Sequence, residues 1–111
     1  MADHGDLLQR IDDLSARAAS PRADPELLSA IEDVLAEGYM WALTEEAESR
    51  RMGSRLDRLV EALDEPGVAM EARRLALQQR SLDHRIDTLR ARLATIREQF
   101  VRLGGGQSAP V

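Results

Sequence analysis

The sequence predicts an all-α protein: a long antiparallel coiled-coil helical hairpin with a short N-terminal helix packed on its base. Three observations predict it. Aromatic residues make up 3% of the 111 residues, so the core must be built from Leu, Ile, Val, Met and Ala, which suits paired helices better than an aromatic-centred globule. Charged residues reach 32% beside an apolar fraction of 43%, a combination that long helices with wide solvated faces satisfy. Apolar residues also recur at alternating steps of three and four through two long stretches on either side of Asp64-Glu65-Pro66-Gly67.

Helix A is predicted over about residues 4–19, with Leu7, Leu8, Ile11, Leu14 and Ala18 as a narrow apolar stripe. Ser20-Pro21 ends it, because the residue before proline disfavours the helical region. Helix B opens at Asp24-Pro25-Glu26, a capping residue, a proline suited to the first helical position and an acid that complements the helix dipole. It is predicted over about 25–64, with Gly38 and Gly53 inside it. Helix C is predicted over about 68–103 and ends at the glycines that follow. Residues 1–103 then form a single helical domain, and 104–111 (GGGQSAPV) are expected to be a disordered tail. Helices B and C would each be about 55 to 60 Å long, and a loop of about four residues makes them antiparallel.

A shared seam can be written without a stutter. On helix B it runs through 28, 31, 35, 38, 42, 45, 49, 52, 56, 59 and 63; on helix C through 68, 72, 75, 79, 82, 86, 89, 93, 96, 100 and 103. Eighteen of these 22 positions are apolar, where the average composition would supply about 9 or 10, so the register is a pattern and not chance. Folding at the loop sets Gly38 opposite Leu93, Ala42 opposite Leu89, Ser49 opposite Leu82 and Leu63 opposite Val68, small residues often facing large ones. On the flanks, Glu48 comes near Arg85, Tyr39 near Arg90 and Trp41 near Arg92, while one pair disagrees with the register, Glu46 near Asp83, which sets like charge on like. A second apolar row on helix B, Leu27, Val34 and Trp41, stops at Glu48. Helix A therefore docks on the Trp41 half, and residues 49–82 are left as a two-helix arm.

Composition excludes several function classes. There is no Cys, so disulfides, thiolate metal sites and thiol catalysis are out. All 15 basic residues are Arg, so no side-chain amine is available for Schiff-base chemistry. A net charge of −5 argues against direct binding of nucleic acid, and no stretch approaches the roughly 18 apolar residues of a membrane span. The opening MADHGD has no apolar leader segment, so a cytoplasmic location is expected. No Ser-His-Asp set, phosphate-cradling glycine loop or HExxH motif is present, and no cofactor is expected.

Two clusters remain as candidates. Glu45 in the seam lies level with Glu48, Asp83, His84 and Asp87; carboxylates and a histidine on facing helices are the donor set of a carboxylate-rich metal-binding bundle, although no Glu precedes either His by three residues. The alternative reading is a solvated face from which Glu45 snorkels outward. The second cluster is the hairpin tip, LVEALDEPGVAMEARRL, where Asp64 and Glu65 stand at the turn with Val60 and Met70 beside them. This tip resembles the acid-tipped coiled-coil arms of bacterial transcription factors that enter the polymerase secondary channel, which implies a transcription-regulator alternative acting through Asp64 and Glu65. In length, acidity and hairpin form the chain is also similar to flagellar and type III export chaperones. The leading expectation is a non-enzymatic protein–protein interaction module, an adaptor, assembly factor or export-type chaperone. It would act through Val60, Asp64, Glu65 and Met70 at the tip or Glu45 and Ser49 in the seam, with another protein as partner and a homodimer as its assembly.

Overall fold

The computed structural model describes residues 3–20 and 24–105. They form α1 (His4–Ala18), α2 (Pro25–Val60) and α3 (Val68–Arg102), with no strand among the described residues. Helices α2 and α3 pack most closely, so the fold is the helical hairpin with a short N-terminal helix that the sequence predicts. Among the described residues, no helix is long and apolar enough to cross a membrane.

The helix ends follow from side chains that satisfy orphan backbone groups. Asp3 caps α1 by accepting from the Asp6 N–H at 2.7 Å, and Asp24 caps α2 by accepting from the Leu27 N–H at 2.7 Å. At the other end of the chain, Gly104 has φ 88° and donates to the Val101 carbonyl at 3.0 Å. Gly105 donates to the Phe100 carbonyl at 2.8 Å. This is a Schellman cap, which needs the left-handed backbone that glycine adopts at no steric cost. Gly105 is buried on the Phe100 ring, where a Cβ would collide with it. The two residues that open the expected tail are thus part of the helix cap; residues 106–111 lie outside the described residues, as does Pro21.

Helix α2 ends at Val60, four residues earlier than its periodicity predicts. The reason is the turn. Glu65, Pro66, Gly67 and Val68 form a type II turn, with Pro66 at its second position, Gly67 at φ 82° and the Val68 N–H donating to the Glu65 carbonyl at 3.3 Å. The residue before a proline resists helical backbone, so α2 unwinds upstream through tight bonds from the Ala62 N–H to Leu59 and from the Glu65 N–H to Ala62, each 3.0 Å. Leu63, expected in the seam opposite Val68, falls in this unwound stretch and is 48% exposed.

The chain divides into two compact units. The base unit comprises the residues up to Trp41 and those from Leu89 onward, and holds three helical segments. Its core contains Leu7 and Ile11 of α1, Leu27, Ile31 and Val34 of α2, and Leu93 and Ile96 of α3. Helix α1 is tied to both neighbours: Arg10 pairs with Glu37 of α2 at 2.7 Å, and Asp12 pairs with Arg92 of α3 at 2.9 Å. The Ser15 hydroxyl also donates to Gln99 Oε1 at 2.7 Å. The docking of the N-terminal helix on the Trp41 half is as predicted, and the Arg90 guanidinium lies 5.8 Å from the centre of the Tyr39 ring, as the register requires. Trp41 does not meet Arg92, because Asp12 has taken that arginine. The indole instead makes an edge contact with His4, the first residue of α1, ring centres 6.0 Å apart.

The turn unit, Ala42–Thr88, contains only segments of α2 and α3 joined by residues 61–67. Ala72, Leu75, Leu82 and Ile86 of α3 are buried in it. Taking both helices together, 21 of the 22 seam positions are buried or half-buried and Leu63 is the exception, so the rows read from the sequence are the inward rows of the fold; in the base unit, Gly38 lies against Leu93 as that register pairs them.

Candidate functional site

Two polar residues sit in the apolar seam of the turn unit. Glu45 is 4% exposed and Ser49 is also buried. The expectation that Glu45 snorkels to solvent is therefore corrected: the carboxylate stays inside, and the Arg85 guanidinium comes in from α3 to 3.4 Å from it. Arg85 was expected to take Glu48; Glu45 wins because it lies on the row that faces α3, whereas Glu48 is exposed. One turn on, the Ser49 hydroxyl donates to an Asp83 carboxylate oxygen, and Gln79 Nε2 donates to the Ser49 carbonyl oxygen at 3.0 Å. That carbonyl already belongs to the helix ladder, so its second lone pair is used. The five side chains, Glu45, Arg85, Ser49, Asp83 and Gln79, form a polar layer with defined partners across the hairpin, and a slip of one register step breaks all of these contacts. Glu45 and Ser49 are interior groups of this unit and present no docking surface on it.

The five residues considered as metal ligands are not brought together. Among the described residues no three His, Cys, Asp or Glu side chains form a group that could hold a metal ion. Glu48, Asp83, His84 and Asp87 are exposed while Glu45 points into the seam. Being level along the helix axis does not put them on one side of it.

The tip residues have a different fate. Val60 is 52% exposed and Met70 is 77% exposed, with Asp64 and Glu65 exposed between them in sequence. The structure adds Leu63, which sequence reasoning had assigned to the seam, and Leu77, an exposed leucine on the outer side of α3. The signal for Leu77 was present: it lies off the seam of helix C. Sequence reasoning also missed an open groove of about 520 Å³ on α2, lined by Ala47, Arg50, Arg51, Ser54, Arg55 and Arg58. Of these arginines, Arg55 pairs with Glu71 at 2.8 Å.

No protein-family model matches the chain, and no curated protein or solved structure matches it.

Proposed function

We propose that the chain is a non-enzymatic protein–protein interaction module, of the adaptor, assembly-factor or export-chaperone kind, that docks through the end of the turn unit. The observation that carries this reading is the exposure of three large apolar side chains, Val60, Leu63 and Met70, around the exposed acids Asp64 and Glu65. Single exposed apolar residues are ordinary, but a local concentration of them rimmed by charge is the composition of a docking patch. Burying them against a partner recovers their transfer free energy, about 1.5 to 3 kcal/mol for each side chain fully removed from water. The carboxylates speed encounter with a basic surface and set orientation, contributing more to association rate than to affinity.

The test is affinity capture from the native host, followed by direct binding measurements with each protein recovered. The variant Val60→Ser/Met70→Ser changes exposed side chains only, so its helicity should equal that of the parent. It is expected to lose the partner, while Leu77→Ser on the same unit retains it. Equal capture by the Val60→Ser/Met70→Ser variant would overturn the reading.

A further inference from the structure

The outer side of α2 in the turn unit carries opposite charge at its two ends. At about 100° per residue, Ala47, Arg50, Arg51, Ser54, Asp57 and Arg58 fall within an arc of about 120°, directly away from the seam, and Glu61 follows just past the end of α2. Apart from Ala47, all of them are exposed, as are Asp64 and Glu65 just beyond. Along the chain the signs run from Arg50 and Arg51, through an adjacent Asp57 and Arg58 on this face, to Glu61, Asp64 and Glu65 in the turn that follows it. Among the described residues no carboxylate pairs with Arg50, Arg51 or Arg58.

Such a face is complementary to itself when one copy is reversed. A two-fold axis between Asp57 and Arg58 brings Asp57 of each copy beside Arg58 of the other, and runs Arg50 and Arg51 of each toward the acidic turn of the other, which holds Glu61, Asp64 and Glu65. A parallel arrangement sets like charge on like. Nucleic acid would satisfy only the arginine end, and the acids at the other end would repel its phosphates. We propose that this face is the isologous interface of an antiparallel homodimer of the turn unit, with a second copy of the chain as occupant. The inference rests on the reading of residues 60–70 as a docking region and names one partner for its acidic part.

Sedimentation equilibrium of the full chain tests it. The parent is expected to dimerise, with an affinity that falls as salt rises. Arg50→Glu/Arg51→Glu should raise the dimer Kd by about 100-fold or more, and Asp64→Arg/Glu65→Arg should do the same. Mixing the two variants should restore association as a heterodimer, and combining all four changes in one chain should restore the homodimer, because both then recover opposite charge at each end. A chain that stays monomeric up to about 100 µM at low salt overturns the proposal. So does a dimer indifferent to either reversal, a failure of the mixed variants to associate, or an arginine-dependent complex with a labelled oligonucleotide in place of the dimer. None of these outcomes alters capture of a different protein through Val60 and Met70, so the two readings fail separately.

Discussion

Gly38 of α2 lies against the Leu93 side chain of α3 so closely that a Cβ at Gly38 would collide with it. The glycine is the small member of a small-to-large pair that lets a leucine fill the centre of the base unit.

Gly38→Ala should therefore destabilise the protein. Alanine gains about 1 kcal/mol of helix propensity over glycine, but overpacking a filled core costs about 1 to 3 kcal/mol. Gly53 is the control. A Cβ there meets the end of the Gln79 side chain, Nε2 at 3.0 Å and Cδ at 4.0 Å, which must give by a few tenths of an ångström while keeping its bond to the Ser49 carbonyl. Gly53→Ala should be neutral or stabilising by up to about 1 kcal/mol, provided that half-buried Gln79 shifts without losing the Ser49 carbonyl. Urea unfolding followed by circular dichroism reads both, and opposite signs are expected.

Glu45→Leu should stabilise the hairpin by about 1 to 3 kcal/mol, since it removes a buried carboxylate and completes an apolar seam, while Arg85 is half exposed and returns to water. The same variant should lose some of the specificity of its pairing. Disulfide trapping between cysteines introduced at 56 and 75, compared with pairs offset by one turn, measures that loss; a variant that is both less stable and equally specific contradicts the assignment.

Ile11→Ala should cost about 2 to 5 kcal/mol, because Ile11 is fully buried on the face that α1 presents to the base unit. The loss should be local. Hydrogen exchange is expected to accelerate at the amides of α1, while the amides of residues 68–88 keep their protection.

Gly67→Ala should destabilise by about 1 kcal/mol, the cost of holding a Cβ at φ 82° with nothing gained, since no atom lies within 4 Å of the added methyl. Gly67→Asn should cost less, because asparagine tolerates that backbone in a type II turn. Thermal unfolding of the two variants distinguishes backbone strain from packing.

Much of the fold was legible because a two-helix seam is a one-dimensional code. Each position of α2 and α3 has one angular place, and spacing alone assigns Leu35, Leu75, Leu89 and Ile96 to the interior. Asp24 announced the start of α2 for an equally local reason, a carboxylate within reach of the Leu27 N–H. The candidate site was less legible. Leu63 kept the correct spacing yet left the seam, because the turn around Pro66 unwinds the helix that spacing assumes. The supposed metal cluster failed because position along a helix says nothing of direction around it once residues from two helices are compared.

The sequence by itself determined the three helices, the Asp24 cap of α2, the inward rows of the seam and the half of the hairpin that receives α1, since each depends on periodicity or on groups a few residues apart. Only the tertiary structure decided which partner each polar side chain takes. Arg92 went to Asp12 and not to Trp41, Arg85 to Glu45 and not to Glu48, and Ser49 to Asp83. Those choices turn on differences of an ångström or two between long flexible side chains competing for the same charge, and such distances are set when helices pack.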